Sequence, residues 1–346
     1  MAHGFLTIDC GAVVRNWRRL CEIHVGGAVA AVVKADAYGL GAIPIATALR
    51  DAGCRHFFVA TVEEGEALRD GIGDGPMIAV LDSFRAGRHP RLTPVLNSLQ
   101  EVRAHEGEAI LHVDSGMSRL GLPPGELELL AAEPEALAKL DILFIMTHLA
   151  AAEDPAHPLN IAQLERFTEA SLKLPRARRS IANSSGIFLG PRFGSELARP
   201  GAALYGINPT PGRPNPMEPV LRLEGQVLQI RDIAPGQTVG YGGTWLATKP
   251  TRIAAVGIGY ADGLSRRLAG SLTARFGGQA MPMVGRVSMD LTTFDATGIR
   301  KIKPGRWVEL IGVEQDVDAI ADMTGTIGYE VLTSLGKRFR REYLAA

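Results

Sequence analysis

Short apolar runs alternate with longer amphipathic stretches from residue 28 to residue 199, and this alternation constrains the fold more than any other feature of the chain. Such a pattern is typical of repeated strand and helix units around a parallel sheet. The strand-like runs lie at residues 28–34, 57–60, 77–81, 93–97, 109–114, 141–148, 179–183 and 196–200. Because a closed (β/α)8 barrel of the TIM type needs about eight strands, this count predicts that α/β barrel for the N-terminal part.

Amphipathic helices are predicted between the strands and would form the outer ring of the barrel. In SLQEVRAHE, Ser98 can begin a helix, and Glu101 follows at the spacing of a capping box. A second helix is predicted for NIAQLERFTEASLKL, because apolar residues recur there at helical spacing. Those apolar residues are Ile161, Leu164, Phe167 and Leu172.

A domain boundary is predicted after the barrel, because residues 208–219 contain five prolines. Such a segment can form neither a regular helix nor a central strand. Beyond it, strand-like runs are separated by turns rich in glycine and proline, which predicts a mainly β domain. We therefore expect a barrel domain at residues 9–218 and a β-rich domain at 219–346, with residues 1–8 pairing with the second domain.

Composition restricts the kind of partner. Lys plus Arg and Asp plus Glu both number 37, so the net charge is zero and gives no bulk attraction to nucleic acid or to an anionic membrane. Cys10, Cys21 and Cys54 are an odd number of early cysteines, which argues against a disulfide framework and against a cysteine metal cage. With neither a secretory pattern nor a membrane-length apolar run, the expectation is a cytoplasmic enzyme with a small-molecule substrate and no metal.

Lys34 ends the first apolar run, and the carboxyl end of a barrel strand is where catalytic groups are assembled. Partial burial there lowers the pKa of an ammonium group and makes the neutral amine available to form a Schiff base with an aldehyde. The alternative is a structural lysine whose stem covers apolar surface.

The segment around this lysine, AVVKADAYGLG, resembles the cofactor-lysine signature of alanine racemases. Other segments resemble that family in the same order along the chain, namely HVDSGMSRLG, MTHLA, ANSSG, ARPGAALYGI, VGYG, GIGYADG, GRVSMD and IGYEV. The resemblance implies pyridoxal 5′-phosphate bound to Lys34, and a homodimer whose active sites are shared between subunits. It also implies interconversion of L- and D-alanine by two-base proton transfer on an external aldimine.

Several cofactor contacts are implied by the same resemblance. Tyr38 matches the tyrosine that bonds the cofactor phosphate, His148 a supporting histidine, and Arg199 the arginine that faces the pyridine nitrogen. A charged guanidinium disfavours protonation of that nitrogen, which suits racemisation without transamination. Barrels also hold phosphate beside the loops after strands seven and eight. The implied phosphate ligands there are Asn183, Ser184, Gly201 and Ala202, joined by Tyr329 of the second domain.

The remaining implied residues face the substrate. Tyr241 matches the second base, which reaches the active site of the partner subunit, although by itself it reads as an exposed loop aromatic. Arg119 matches an arginine near the cofactor's phenolic oxygen and the substrate. Tyr260 matches a residue of the substrate entrance, and Met289 and Asp290 match the pair that binds the substrate carboxylate. As a dinucleotide-binding loop, GIGYADG is a weak signal, because the context of a helix start is missing.

One position departs from the family pattern. Many members carry a lysine, often carbamylated, that orients the arginine of the second segment, and this chain has His112 there. A neutral imidazole is not an anion, so Arg119 must be held differently. A bound anion and a water-mediated contact are both compatible with the sequence.

Three other functions remain open at this point. A decarboxylase on the same two-domain scaffold predicts an acidic partner for the pyridine nitrogen and a late catalytic cysteine, whereas this chain has Arg199 and no cysteine after Cys54. A cofactor-binding barrel without activity would not need a second domain. A racemase acting on serine or other small amino acids is also compatible with these residues.

Overall fold

The computed structural model describes residues 3–82 and 89–346. The chain divides into two compact units, which we treat separately. The barrel unit comprises Gly11–Glu218, and the β-rich unit comprises Met1–Cys10 together with Pro219–Ala346. None of the helices in the described ranges is long and apolar enough to cross a membrane.

The barrel unit is built on parallel strands that run in chain order around its centre. Seven of these strands, β3 to β9, form one sheet within the described residues. The strands are β2 (Ala28–Val29), β3 (Ala31–Val32), β4 (His56–Val59), β5 (Met77–Val80), β6 (Thr93–Leu96), β7 (Gly107–His112), β8 (Leu140–Met146), β9 (Arg178–Ser180) and β10 (Leu197–Ala198).

The barrel closes because the first strand-like run pairs on both sides. β3 pairs with β4, while β2 pairs in parallel with β10 in the register Leu197 to Ala28. On the other side of β10, the backbone N–H of Arg199 donates to the carbonyl of Ala182, which follows β9, at 2.8 Å. The predicted α/β barrel is thus confirmed, with its eighth strand reduced to two residues.

Helices surround the barrel, and the predicted helix starts can be checked at atomic detail. The Ser98 side chain accepts the backbone N–H of Glu101, as a capping box requires, but the Glu101 carboxylate takes the N–H of Asn97 instead of that of Ser98. The helices are α1 (Cys10–Ile23), α2 (Lys34–Tyr38), α3 (Ala42–Asp51), α4 (Val62–Ile72), α5 (Leu99–Ala104), α6 (Pro124–Ala131), α7 (Pro134–Leu137) and α8 (Pro158–Leu172).

Helix α8 corrects one prediction about its apolar face. Phe167 is fully buried, but Leu172 is 82% exposed, so the expected burial of Leu172 is wrong. The buried positions at this end of the helix are Ala170 and, just beyond it, Leu174. Five residues at 100° each amount to a rotation of about 500°, which is about 140° beyond one full turn. Leu172 therefore lies on nearly the opposite side of the helix from Phe167.

The β-rich unit contains an eight-stranded sheet among the described residues, in which β14 and β17 branch from a path of six strands. Two helices come before its last strand, namely α9 (Val317–Thr324) and α10 (Gly328–Ser334). The strands of the unit are β1 (Gly4–Asp9), β11 (Leu221–Ile233), β12 (Thr238–Val239), β13 (Trp245–Leu246), β14 (Thr251–Val256), β15 (Thr273–Phe276), β16 (Gln279–Pro282), β17 (Thr292–Asp295), β18 (Trp307–Ile311) and β19 (Arg340–Leu344). Of these, β12 and β13 form a separate two-stranded sheet.

The amino-terminal strand belongs to this sheet. β1 pairs antiparallel with β11, in the register Gly4 to Gly225, and parallel with β19 on its other side. Met1 and Ala2, which are part of the segment predicted to pair here, lie outside the described residues. Because both β1 and β19 join one sheet, the two ends of the chain stabilise the same unit.

Truncation of the α8 face tests the corrected burial. We expect Phe167→Ala to lower the free energy of unfolding by about 3–5 kcal/mol, because it removes a buried aromatic ring and leaves a cavity. Leu172→Ala on the same helix should change it by less than about 0.5 kcal/mol. Urea unfolding followed by circular dichroism measures both, and equal losses for the two variants would contradict the assigned face.

Candidate active site

Lys34 lies directly beyond β3, at the rim of the barrel where the strands end. Its side chain is half-buried. Burial lowers the pKa of Lys34, the nearby charge of Arg119 lowers it further, and Glu64 acts in the opposite direction. The amine is therefore easier to deprotonate than an exposed lysine, as its position after the strand predicts.

The segment labelled α2 is a left-handed turn. Ala35, Asp36, Ala37 and Tyr38 have φ between 52° and 56°, and none of them is glycine. The left-handed conformation costs roughly 1–2 kcal/mol for each such residue. Consecutive strained residues persist only where their surroundings hold them. The turn directs the Tyr38 side chain into the buried interior of the barrel unit.

Tyr38 lies against the loops that follow β9 and β10. A Cβ atom at Gly201 would lie 2.3 Å from the Tyr38 hydroxyl, so only glycine permits this approach. The Ser184 hydroxyl accepts the backbone N–H groups of Gly201 at 3.1 Å and of Ala203 at 3.2 Å. The Tyr38 and Ser184 hydroxyls and the backbone from Gly201 to Ala203 thus converge on one small cradle, whose polar groups suit a phosphate group.

Tyr205 connects this cradle to the strand that carries Lys34. Its ring packs against that of Tyr38 with centroids 4.7 Å apart. Its hydroxyl donates to the carbonyl of Val32 at 2.8 Å, two residues before Lys34. The 3-10 helix Ala202–Tyr205, which contains the predicted phosphate ligand Ala202, therefore has a fixed position relative to β3.

Asn183 holds the loop itself. Its Nδ2 donates to the carbonyl of Leu149 at 3.2 Å, and its Oδ1 accepts the N–H of Gly186 at 2.9 Å. Both ends of the side-chain amide are thus used within the barrel unit. This arrangement supports Ser184, the next residue, and gives Asn183 a structural part in the cradle.

Arg199 is almost fully buried beneath the rim. Its Nη1 donates to the Ser180 hydroxyl and its Nη2 to the Thr147 carbonyl, each at 2.5 Å. Among the described residues, no acceptor takes its Nε–H. Burial lowers the pKa of Arg199 to about 10, so the guanidinium remains charged at neutral pH. The side chain is held by two of its five N–H groups, and the Nε–H is among those that remain for a ligand.

His112, the position that departs from the family pattern, is buried at the end of β7. Its Nδ1 lies 2.7 Å from the Asn97 Oδ1. The Asn97 amide nitrogen donates to the carbonyls of Leu81 and Val95, which fixes the oxygen toward His112. His112 Nδ1 must therefore carry the proton, and its Nε2 presents a lone pair. Burial and the charge of Arg199 lower the pKa of His112 to about 3, so the ring is neutral.

His148 lies beyond β8 in the same group of charges. Burial, followed by the charge of Arg199, lowers its pKa to about 3. Arg119, His112 and Lys34 lower the pKa of His148 further. Arg119 itself is exposed and makes no hydrogen bond within the described part of the chain. The barrel rim thus brings the predicted Lys34, Arg119, His148 and Arg199 into one electrostatic cluster.

The predicted residues of the β-rich unit lie in three places, two of which hold a single tyrosine. Tyr241 begins the 3-10 helix Tyr241–Gly243 and is 69% exposed, next to glycines with positive φ. Tyr329 lies at the start of α10 and is half-buried. Tyr241 is therefore available to a surface outside its own unit.

Tyr260, Met289 and Asp290 are brought together within that unit. The N–H groups of Tyr260 and Ala261 donate to the carbonyls of Ser288 and Met289 at 3.0 and 2.9 Å. A Cβ atom at Gly259 would lie 2.3 Å from the Met289 carbonyl oxygen, so glycine is required for this contact. The Tyr260 turn and the Met289 loop form one surface.

Two contributors to these arrangements were missed by the sequence analysis. Arg338 donates to Asp290 and to Asp262, both at 2.8 Å, and so ties the Met289 loop to the Tyr260 turn. Arg338 lies far along the chain from both partners, so the sequence alone could not predict these contacts. Asn97 could have been found, because a polar residue directly after a barrel strand is a signal in itself.

The barrel rim, its lysine and its cradle are typical of barrel enzymes that bind a phosphorylated small molecule. Comparison with known families agrees with this class. Residues 8–209 match the model of the alanine racemase N-terminal domain, and residues 220–343 match that of the alanine racemase C-terminal domain.

Individual relatives are similar over almost the whole chain. The alanine racemase of Acidiphilium cryptum is 53% identical, with 99% of both chains covered, and the catabolic alanine racemase of Mesorhizobium japonicum is 47% identical, with 99% and 94% covered. The structure is similar to that of the Bartonella henselae alanine racemase with covalently bound pyridoxal phosphate, with a TM-score of 0.93, 42% identity, and 99% and 100% covered. The chain belongs to the alanine racemase family.

The two buried histidines of the rim give a prediction about pH. His112 and His148 should stay neutral from pH 8 to pH 5, because both have a pKa of about 3. Unfolded histidine has a pKa of about 6.5. The two rings therefore destabilise the fold progressively as pH falls from about 6.5 towards 3. Nitrogen NMR of histidine-labelled protein measures the protonation of each ring as the pH is lowered. Protonation of His112 or His148 above pH 5 would contradict the prediction.

Proposed function

We propose that this protein interconverts L- and D-alanine with pyridoxal phosphate as its cofactor. The observation that carries the proposal is the juxtaposition at one rim of Lys34, whose pKa is lowered, and the cradle formed by Tyr38, Ser184 and Gly201. An aldehyde that also bears a phosphate needs both features. Membership in the alanine racemase family supports the same reaction.

The residues present fit this cofactor. The amine of Lys34 would hold its aldehyde carbon, and the Tyr38 and Ser184 hydroxyls would hold its phosphate with the backbone at Gly201 and Ala202. When bound, pyridoxal phosphate makes the α-proton of an attached amino acid acidic. The protein's task is then to orient the substrate and to move that proton.

Arg199 is placed to limit side reactions. Its Nε–H is one of the donors not used by Ser180 or Thr147, on a guanidinium that stays charged at neutral pH. Such a partner hydrogen-bonds a pyridine nitrogen but disfavours its protonation. The cofactor would then withdraw less electron density from the α-carbon than it does beside a carboxylate. This favours return of the proton to the α-carbon. We assign this tuning role to Arg199.

Two bases would act on opposite faces of the α-carbon. We propose that the Nζ of Lys34 removes the α-proton of D-alanine and that the phenolic oxygen of Tyr241 removes that of L-alanine. In the opposite direction of the reaction, each group would return a proton to the same face. The exposure of Tyr241 supports its action on the site of a partner subunit. The active form would therefore be a homodimer with shared active sites, and we place it in the cytoplasm.

The substrate carboxylate would lie near Arg119 and the Met289 loop, with Tyr260 at the entrance and Tyr329 completing the phosphate ligands. An ionised Asp290 can only accept hydrogen bonds, and Arg338 already engages it. We therefore assign the carboxylate contact to the backbone N–H groups of Met289 and Asp290. The Asp290 side chain would hold that loop in place.

The reaction and the cofactor lysine can be tested together. Incubation of the purified protein with L-alanine should yield D-alanine by chiral chromatography, because both bases are present in one assembly. Borohydride treatment should fix the cofactor to the peptide that contains Lys34, as mass spectrometry would show. Cofactor on another lysine would refute the role of Lys34, and alanine of unchanged configuration would refute the reaction.

The shared active site predicts complementation between two inactive variants. Homodimers of Lys34→Ala and of Tyr241→Phe should each lose most activity, because every site lacks one base. In a mixed dimer, one site carries both changes and the other is intact. Activity should therefore return to about half the wild-type value per mixed dimer if the sites are independent.

Subunit exchange must be shown in the same experiment. An affinity tag on one variant and a different tag on the other allow mixed dimers to be purified in two steps. Mixed dimers as inactive as their parents would mean that Lys34 and Tyr241 act within one chain, or that Tyr241 is not the second base. A wild-type dimer carrying the two tags serves as the reference.

A further inference from the structure

The left-handed turn after Lys34 is the most strained backbone of the described chain. Of the five non-glycine residues with positive φ in the described chain, four, Ala35 to Tyr38, are consecutive in this turn, and the fifth is Ser118. L-amino acids disfavour this conformation, and a run of them would revert without external support. The backbone direction at Lys34 depends on that support, because the turn begins at this residue.

The far end of the turn is held by local bonds. The Asp36 carboxylate accepts the N–H of Ala42 at 2.7 Å, and the Asp36 carbonyl accepts the N–H of Gly41 at 2.8 Å. These contacts fix the entry into α3. Within the turn, the Ala37 N–H also donates to the carbonyl of Val33 at 2.8 Å. None of these bonds engages the N–H of Ala35, the residue that follows Lys34.

Glu64 supplies the contact at the near end. Its Oε1 accepts the N–H of Ala35 at 2.7 Å, and its Oε2 accepts the N–H of Ala60 at 2.8 Å. One carboxylate thus joins the first residue after Lys34 to the end of the neighbouring strand β4. Bonds from backbone N–H to an ionised acceptor are stronger than neutral ones.

Helix capping alone does not explain this geometry. Thr61 begins α4 and accepts the N–H of Glu64 at 3.3 Å, which is one half of a capping box. In the complete box, the glutamate would bond the N–H of Thr61. Here both oxygens of Glu64 bond residues outside α4, and one of these follows the candidate cofactor lysine. Glu64 is also close enough to Lys34 to raise its pKa against the effect of burial.

We infer that Glu64 is a positioning residue, whose carboxylate holds the left-handed turn and so directs Lys34 and Tyr38 towards the cofactor. The inference rests on the proposed role of Lys34 as the cofactor lysine. Release of the Ala35 N–H would allow the turn to relax. That relaxation would move the Lys34 amine and the Tyr38 hydroxyl together, so it would weaken cofactor binding at both ends.

Glu64→Gln is the first test, because it keeps the size of the side chain. Each carboxylate oxygen now accepts one N–H, so an amide in this geometry can accept from only one of Ala35 and Ala60, and more weakly because it carries no charge. In the holoenzyme of this variant, the Ala35 amide hydrogen should exchange at least about tenfold faster than in the wild type. The Kd for the cofactor should be about ten- to a hundredfold higher than the wild-type value. Exchange mass spectrometry and the fluorescence of released pyridoxal phosphate measure these changes.

Glu66→Gln is the matched control. It removes the same charge from the same helix, but Glu66 pairs with His89, away from the turn. Exchange at Ala35 and the cofactor Kd should stay at their wild-type values in this variant. A weakening equal to that of Glu64→Gln would assign the effect to the charge of α4 and overturn the inference.

Ala35→Gly tests whether Glu64 acts through the strained turn. Glycine adopts positive φ without steric cost, so this change should restore most of the cofactor affinity lost in Glu64→Gln. Ala48→Gly, within the right-handed helix α3 and away from the turn, should restore none. Wild-type exchange at Ala35 in Glu64→Gln, or no rescue by Ala35→Gly, would overturn the inference. If the wild-type protein bound no cofactor at Lys34, the proposed function would fail, while exchange at Ala35 would still decide whether Glu64 holds the turn.

Discussion

Closure of the barrel is the constraint on which the rest of the structure depends. The pairing of β10 with β2 joins residues that are almost 170 positions apart in the chain, from Ala28 to Leu197. Only this pairing brings the residues that follow the first strand, Lys34 and Tyr38, beside the loops that carry Ser184 and Gly201. Two hydrogen-bonded residues in β10 are sufficient, because the N–H of Arg199 extends the contact to the end of β9.

The closed rim concentrates positive charge in a chain with no net charge. Arg199 is buried and charged, Arg119 and Lys34 lie near it, and the intervening histidines remain neutral. Like charges close together favour the neutral amine of Lys34 and attract anions. A phosphate and a carboxylate would both be stabilised at such a rim. The Asn97 amide contributes by keeping His112 in one tautomer, so that a neutral ring lies where many family members carry a lysine.

The sequence predicted the regular parts of the fold well, because most barrel strands are short apolar runs, as is typical of parallel strands buried on both faces. The predicted burial of Leu172 was wrong, because the hydrophobicity of a residue alone does not determine which face of a helix packs against the core. Only one half of the capping box predicted at Ser98 forms, because the Glu101 carboxylate accepts the N–H of Asn97 rather than that of Ser98. Among the site residues, the positions of Lys34, His148 and Arg199 at strand ends were predictable, whereas the clamp of Arg338 was not.

The sequence by itself determined the strand order, the placement of polar residues after strands, and the glycines that permit close approach. These are local properties, set by the period of apolar residues and by the steric freedom of single residues. Only the tertiary structure decided which of those polar residues meet, and in what protonation state. Burial, neighbouring charge and hydrogen bonds to distant backbone fix the tautomer of His112, the pKa of Lys34 and the left-handed turn beside it. These depend on groups far apart in the chain, which become neighbours only when the barrel closes.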